Sequence, residues 1–177
     1  MSDTAVLVID MLNAYCHDDA DPLATNVAEI ISPLSALIGR ARDHDGVDLI
    51  YVNDNYGDFT ADTADIAQAA LRGRHPELVK PIAPQKDSMV LTKARHSAFY
   101  ASPLAYLLRR LQTKTLILTG QVTEQCILYT ALDSYIRHFD VVVPSDAVAH
   151  IDAELGGAAL KMMRSNMRAD ICTSAVS

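Results

Sequence analysis

The stretch "KTLILTGQVTEQCILYTALDSYIRHFDVVVPSDAVA", residues 114–149, decides the fold because it holds a strand, a helix and another strand in succession. Residues 114–120 are strongly apolar, as is typical of a strand buried on both faces of a sheet. Residues 124–139 combine good helix formers with apolar residues at helical spacing, and residues 140–149 indicate a strand followed by a loop. This order predicts two parallel strands joined by a right-handed crossover.

The same alternation continues outward from this stretch. Further strands are predicted at residues 4–10, 47–54, 88–93 and 169–175, and further helices at residues 24–46, 63–72, 103–113 and 152–167. Strands that alternate with helices predict an α/β fold, a three-layer α/β/α sandwich with a central, mostly parallel sheet. The length suits a single domain over residues 1–177.

The composition excludes several function classes. The chain is 50% hydrophobic and 21% charged, as expected of a soluble globular protein. Its net charge of -7, with no cluster of Lys and Arg, argues against nucleic-acid binding. No apolar run approaches the roughly 20 residues that cross a membrane, and the N-terminus lacks a signal-peptide pattern, so we expect a cytoplasmic protein without membrane contact. The cysteines Cys16, Cys126 and Cys172 form neither a disulfide framework nor a CxxC metal pair.

Three polar residues follow the ends of different predicted strands. Asp10 ends the first strand, Lys93 ends the strand at 88–93, and Cys126 lies just beyond the strand at 114–120. Taken alone, each has an ordinary explanation: an aspartate that caps a turn, a solvated lysine and a cysteine that packs as a small apolar residue. Because the carboxyl ends of parallel strands meet at one edge of a sheet, where ligands bind, we expect the three side chains to form one site.

Together these residues suit nucleophilic catalysis by a thiol. Cysteine attacks as the thiolate, and a helix N-terminus and the neighbouring Lys93 ammonium both favour that anion, so we expect a lowered pKa at Cys126. Asp10 is suited to accept the thiol proton and to deliver it to a leaving amine. Lys93 alone would lower the pKa of Asp10, so its role as a base requires burial and the nearby thiolate to offset that effect. The residue types leave this balance open.

Three segments resemble the isochorismatase-like cysteine hydrolases, a family that includes nicotinamidases and several small-amide hydrolases. They are "LVIDMLNAY" around Asp10, "LTKARHSAFYAS" around Lys93, and "LILTGQVTEQCILYTALDSYIRHFDVVVPSDAVAH" around Cys126. With the C-terminal "ALKMMRSNMRADICTS", the resemblance covers nearly the whole chain. It implies the isochorismatase-like hydrolase fold and an Asp-Lys-Cys catalytic triad, which falls on Asp10, Lys93 and Cys126.

The resemblance also implies a particular turn after the strand at 114–120. The family has a non-proline cis peptide bond at the position of Gln121–Val122, which turns a backbone amide toward the site. The amides of Val122 and Cys126 would then form an oxyanion hole for charge that develops on a carbonyl oxygen. Thr123 matches the family threonine that supports this turn.

Four further residues are candidates for the wall of the substrate pocket. By resemblance, Tyr15 and Tyr100 correspond to aromatic wall positions, with ordinary packing as the alternative. Asn53 ends the second predicted strand and is a candidate hydrogen-bond partner of the substrate. His96 lies three residues after Lys93 and either reaches the pocket or packs at the surface.

The chain departs from the nicotinamidases at the position of their metal site, an Asp-x-His motif after the second strand. The corresponding stretch reads "VNDNYGDF", with Asp54 but no histidine near it, and His75 stands alone. Because zinc and similar ions need several clustered N and O ligands, we expect no metal, no other cofactor and a substrate other than nicotinamide.

These observations predict a cysteine hydrolase that cleaves a C–N bond of a small amide, carbamoyl or ureido compound through a thioester at Cys126. Some family members that cleave a vinyl ether lack this cysteine, so its presence favours amide chemistry. Two alternatives remain: isochorismate-type vinyl-ether hydrolysis with Asp10 as the acid, and a binding module on the same fold without catalytic activity. The resemblance also implies a homo-oligomer, a dimer or larger, with residues 58–84 and 150–168 as candidate surfaces.

Overall fold

The computed structural model describes residues 3–175, which are organised around a seven-stranded sheet. The strands are β1 (Thr4–Ile9), β2 (Val47–Asp54), β3 (Met89–Lys93), β4 (Thr115–Gln121), β5 (Asp140–Pro144), β6 (Val148–Ala149) and β7 (Asp170–Cys172). The helices are α1 (Ala20–Asp43), α2 (Thr63–Leu71), α3 (Pro76–Val79), α4 (Leu104–Leu111), α5 (Leu128–Ile136) and α6 (Ala153–Met167), with a 3-10 turn at Lys80–Ile82 and a π-helical turn at Thr123–Ile127.

The strand order β3-β2-β1-β4-β5-β7 places β1 in the middle of the sheet, and the short β6 pairs with β4. Every pairing between these strands is parallel, so the sheet is wholly parallel. The carboxyl ends of the central strands meet at one edge, since Ile9 lies opposite both Val52 and Gly120, and Asp54 lies opposite Lys93. The predicted three-layer α/β/α fold is therefore confirmed.

The central strand is buried on both faces, which explains its continuous apolar sequence. Val6 and Val8 belong to a core that includes the buried sides of α1, α2 and α3. Ala5, Leu7 and Ile9 belong to a second core, which includes the buried sides of α4, α5 and α6. Because successive side chains of a strand point to opposite faces, one apolar run supplies both cores.

Helix α1 is 24 residues long, and by length and composition alone it is apolar enough to cross a membrane. Its apolar side chains lie in the core, however: Leu23, Val27, Leu34 and Ile38 are buried among the residues of the first core. One buried apolar stripe along a helix is the pattern of a helix that packs on a protein core.

Two features near the carboxyl edge differ from the sequence-based prediction. The helix expected at 124–139 begins as the π-helical turn Thr123–Ile127 and becomes regular only in α5. The loop expected after β5 contains β6, which pairs with Gly120 and Gln121 at the end of β4. A five-residue turn and a two-residue strand are too short for apolar periodicity to predict them.

Candidate active site

Lys93 lies at the centre of a buried cluster of polar side chains at the carboxyl edge of the sheet. Its side chain is fully buried, and its Nζ lies 2.9 Å from Asp10 Oδ2 and 3.1 Å from Asp54 Oδ2. The same Nζ is 3.8 Å from Cys126 Sγ. The structure thus brings together the three residues predicted from the strand ends and adds Asp54 as a second carboxylate on the lysine.

The position of Asp10 depends on the backbone where β1 ends. Asp10 has a left-handed conformation, with a φ of 53°, which costs a residue with a Cβ roughly 1–2 kcal/mol. Its N–H donates to the carbonyl of Val52, and its own carbonyl accepts from Gln121 Nε2 at 2.7 Å. Its Oδ1 accepts from the N–H of Asp54 at 2.7 Å. These contacts from β2 and β4 hold the carboxylate against Lys93.

The turn after β4 passes directly against the end of β1. Gly120 has a φ of 108°, and a Cβ at this position would clash with the carbonyl oxygen of Ile9, so only glycine fits. One residue further along the chain, the peptide bond between Gln121 and Val122 is cis. The Gln121 side chain is buried, and its amide donates to the Asp10 carbonyl, which links the turn to β1.

Cys126 lies in the π-helical turn that joins β4 to α5. The N–H groups of Gln125 and Ile127 both donate to the carbonyl of Val122, at 3.0 and 3.2 Å, and close the wide turn. The backbone of Val122 also acts to lower the pKa of the Cys126 thiol, against the larger effect of burial. The hydroxyl of Thr123, expected to support this turn, is buried and has no hydrogen-bond partner among residues 3–175. Backbone hydrogen bonds therefore hold this turn together: those to the Val122 carbonyl, and those from the Leu128 N–H to the carbonyls of Thr123 and Gln125.

Burial dominates the electrostatics of the cluster. Burial raises the pKa of Asp10 above its ordinary value, while Lys93 and a hydrogen bond from the Cys126 thiol act in the opposite direction. Burial also raises the pKa of the Cys126 thiol, the Asp10 charge adds to this rise, and Lys93 opposes it. At Lys93, burial acts to lower the pKa, but Asp10, Cys126 and Asp54 together raise it.

The expected lowering of the pKa of Cys126 is therefore wrong in direction. The sulfur is buried and faces the Asp10 carboxylate, and the Lys93 ammonium is shared between Asp10 and Asp54. Lys93 therefore pairs with Asp10 beside a thiol whose pKa is raised. A thiolate becomes accessible when the Cys126 proton passes to Asp10, whose raised pKa favours that transfer.

An open cavity of about 520 Å³ reaches this cluster, and we call it the strand-end cavity. Asp10 and Cys126 both line it, so a bound molecule can contact the carboxylate and the sulfur together. Its volume lies in the range of small-molecule sites. The other polar side chains that line it include Asn13, His17, Asp54, Tyr56, Arg95 and His96.

Tyr15, Asn53 and Tyr100, expected to contact the substrate, are not among the residues that line the strand-end cavity. Tyr15 is fully buried, and its hydroxyl donates to Gln121 Oε1 at 3.4 Å. Asn53 is also buried, and its side-chain amide is occupied by the backbone N–H and carbonyl of Leu12. Tyr100 is 61% exposed and lies outside the cavity. The structure therefore does not place these three side chains at the wall of this cavity, because burial and side-chain direction decide what faces it.

Other cavity residues were uncertain or missed at the sequence level. His96 lines the cavity, and its ring packs edge-on against Tyr129 with the centroids 5.4 Å apart. Arg95 and Tyr56 had no signal of their own, since each lies in a loop. Asp54 was detectable, because it ends β2 beside β1 and the rule that selected Asp10 applies to it equally.

The side chains at the expected position of a metal site do not fit that role. Asp54 is engaged by Lys93, and the residue two positions later is Tyr56, whose hydroxyl donates to the carbonyl of Leu12. His75 instead contacts Glu77 through Nδ1 at 3.0 Å. Within residues 3–175, no group of three or more His, Cys, Asp or Glu side chains is arranged to hold a metal ion.

A family model of the isochorismatase domain matches residues 4–176. The chain belongs to the isochorismatase family. The family protein YaaI of Bacillus subtilis is 35% identical over 172 residues, 97% of this chain and 94% of that protein. Maleamate amidohydrolase of Pseudomonas putida is 28% identical over 152 residues, 81% of this chain and 71% of that protein. The solved structure of N-carbamoylsarcosine amidase from Thermoplasma acidophilum matches with a TM-score of 0.75 at 27% identity, covering 98% of this chain and 97% of that one.

The match to the family model and the likeness to solved structures confirm the family and the fold that the three sequence segments predict. This family member is accordingly an enzyme, a hydrolase that acts on small molecules. The alternative of a binding module without catalytic activity is not supported.

Proposed function

We propose that this family hydrolase cleaves a C–N bond of a small amide, carbamoyl or ureido compound through a thioester on Cys126. One observation carries the proposal. The buried Lys93 Nζ lies 2.9 Å from the Asp10 carboxylate and 3.8 Å from Cys126 Sγ, and both partners line an open cavity. The amidase relatives support the choice of bond, since they include a maleamate amidohydrolase and an N-carbamoylsarcosine amidase.

The proposed reaction begins with transfer of the Cys126 proton to Asp10 as the sulfur attacks the carbonyl carbon. A C–S bond forms, and the carbonyl π electrons move to the oxygen. The backbone N–H groups of Val122 and Cys126 are the proposed donors to that oxyanion. Protonated Asp10 then gives its proton to the nitrogen, the C–N bond breaks, and ammonia or an amine leaves.

Hydrolysis of the thioester repeats these steps with water as the nucleophile. Asp10, again a carboxylate, accepts a proton from the water that attacks the thioester carbonyl. The C–S bond breaks, the carboxylic acid leaves, and Cys126 regains a proton. Lys93 remains charged throughout and stabilises whichever neighbour, Asp10 or the sulfur, carries the negative charge.

The test of this route is Cys126→Ala compared with Cys172→Ala, assayed by ammonia release from a panel of small amides and ureido compounds. Cys126→Ala removes the nucleophile, so we expect turnover to fall by about 1,000-fold or more, while Cys172→Ala keeps the wild-type rate. Acid-quenched mass spectrometry of the wild-type enzyme should detect an acyl group on the peptide with Cys126. If the Cys126→Ala protein retains more than a few per cent of the wild-type rate, the covalent route is wrong.

A second candidate reaction is vinyl-ether hydrolysis of the isochorismate type, with Asp10 as the proton donor. The raised pKa of Asp10 favours this candidate, because a carboxyl group that stays protonated at higher pH is a better general acid. The same variant separates the two reactions, since vinyl-ether hydrolysis survives Cys126→Ala and amide hydrolysis does not.

The proposal includes a cytoplasmic homo-oligomer. The three cysteines are free, which suits a reducing compartment. Exposed apolar side chains on the outer faces of α5 and α6 support association: Leu132, Ile136, Leu155 and Met162. Light scattering of the purified protein tests whether it forms a homo-oligomer, and a monomer at all concentrations would contradict this proposal.

A further inference from the structure

A second cavity of about 440 Å³ adjoins the strand-end cavity, and we call it the side pocket. Asn13, His17 and Tyr56 line both cavities. Tyr56 has a fixed position at this boundary, because its hydroxyl donates to the carbonyl of Leu12 at 3.1 Å and its N–H donates to Asp54 Oδ1 at 2.8 Å. The side pocket is therefore the immediate neighbour of the cavity that Cys126 lines.

The walls of the side pocket are mainly apolar. They are formed by the segment after β1, by the loop after β2 and by one face of α2, and the apolar residues are Leu12, Ala14, Ala61, Ile66, Ala69 and Ala70. The two carboxylates at the pocket are engaged locally. Asp58 Oδ1 accepts from the Thr60 N–H, and Asp65 Oδ2 accepts from the N–H of Asp62 in the capping box of α2.

The contrast with the strand-end cavity defines what the side pocket can bind. The strand-end cavity presents a thiol and a carboxylate, which suit a reacting amide. The side pocket presents methyl and methylene groups around a volume typical of small-ligand sites. Transfer of hydrocarbon from water into such a space is favourable in proportion to the apolar surface that is removed from water.

We propose that the substrate carries an apolar substituent of several carbons, which occupies the side pocket while the amide carbonyl lies at Cys126. The inference rests on the proposed amide hydrolysis and extends it to a substrate class, amides with an apolar chain. Tyr56, at the boundary of the two cavities, contacts the chain where it passes from one cavity to the other.

The first measurement is kcat/KM for ammonia release from linear primary amides of two to six carbons, acetamide to hexanamide. Burial of each added methylene favours binding by about fourfold, so we expect the four methylenes added along the series to raise kcat/KM by about 250-fold. A flat or falling series, with measurable hydrolysis of acetamide, overturns the inference and leaves amide hydrolysis standing.

The second measurement uses Ala69→Leu, which adds three carbons at the exposed mouth of the side pocket, and Ala64→Leu as the matched control. Both alanines are exposed on α2, and leucine is nearly as good a helix former as alanine, but only Ala69 lines the side pocket. We expect Ala69→Leu to lower the hexanamide-to-acetamide ratio of kcat/KM by at least about tenfold and Ala64→Leu to leave it unchanged. Equal ratios in the two variants overturn the inference.

A third measurement separates this inference from the proposed reaction. Calorimetry with Cys126→Ala protein measures binding of hexanamide and of acetamide without turnover. Tighter binding of hexanamide that Ala69→Leu abolishes supports the side pocket, even if no amide is hydrolysed and the proposed reaction fails. Equal affinity of the two amides, or no binding of hexanamide, overturns the inference.

Discussion

The strand-end cavity and the side pocket share three residues but are built from different parts of the fold. Asp10, Asp54, Lys93 and Cys126 come from or just after four neighbouring strands, and they contact one another at 2.7–3.8 Å. The side pocket is bordered instead by the outer helix α2 and by loops, and much of its wall is alanine. A parallel sheet fixes its strand ends through backbone hydrogen bonds, whereas the space beside a helix changes with each side chain. The proposed reaction and the proposed selection of substrate therefore involve separable regions.

The largest expected effect comes from breaking the charged cluster with Lys93→Met. This change leaves the buried Asp10 and the partly buried Asp54 without a cation, so we expect a loss of about 3 kcal/mol in the free energy of unfolding. Turnover of every amide should fall by about 100-fold or more, because the charge beside Asp10 and Cys126 is lost. Urea denaturation and ammonia release measure the two effects.

Lys86→Met is the control for Lys93→Met, since Lys86 is exposed and lies outside both cavities. We expect it to change neither stability nor turnover. Equal stability of the two variants would contradict a buried, ion-paired Lys93. A selective loss of hexanamide hydrolysis in Lys93→Met would contradict the separation of the two regions.

The second prediction concerns the reactivity of two thiols, one in each region. Cys16 is exposed in the side pocket, and Cys126 is buried with a pKa raised by burial and by Asp10. Without substrate at neutral pH, we expect iodoacetamide to label Cys126 at least about tenfold more slowly than Cys16. Labelling of Cys126 should increase only as the pH rises above 9.0, the ordinary value for a thiol.

Peptide mass spectrometry assigns the label to each cysteine over a pH series. A labelling midpoint for Cys126 below the ordinary thiol value would show that the ammonium of Lys93 outweighs burial. That result would restore the resting thiolate expected from the sequence.

The smallest expected effect is a pH shift in Asp54→Asn. In this variant Asp10 is the one carboxylate that still pairs with Lys93, and the negative charge of Asp54 is gone. Both changes favour the ionised form of Asp10, so its pKa should fall. A carboxylate base is lost as pH falls through its pKa, and burial sets that pKa above 3.8 in the wild-type protein. The acid limb of the kcat/KM profile should therefore move to lower pH by up to about one unit, with about a tenfold lower plateau.

The exposed Asp45→Asn serves as the control for Asp54→Asn, because it removes the same charge far from the site. We expect its pH profile to match that of the wild-type protein. An unchanged acid limb in Asp54→Asn would mean that Asp54 positions Lys93 without influencing the protonation of Asp10.

Local sequence patterns were enough to predict the layers of the fold and three residues of the charged cluster at the strand ends. The continuous apolar runs at β1 and β4 reflect burial on both faces, and that burial forces a parallel sheet with helices on either side. Asp10, Lys93 and Cys126 follow from the same patterns, since strand ends in a parallel sheet converge. The π-helical turn and β6 escaped prediction because five and two residues are too few for an apolar pattern to repeat recognisably.

The sequence by itself determined six of the seven described strands and the polar residues at their ends, because those properties depend on neighbours along the chain. Only the tertiary structure decided the roles of Tyr15 and Asn53, the contact between Asp54 and Lys93, and the upward pKa shift of Cys126. The side pocket also belongs to this second group, since its walls come from separate segments. Burial, charge separation and cavity shape depend on residues distant in sequence, and no local pattern encodes the distances between them.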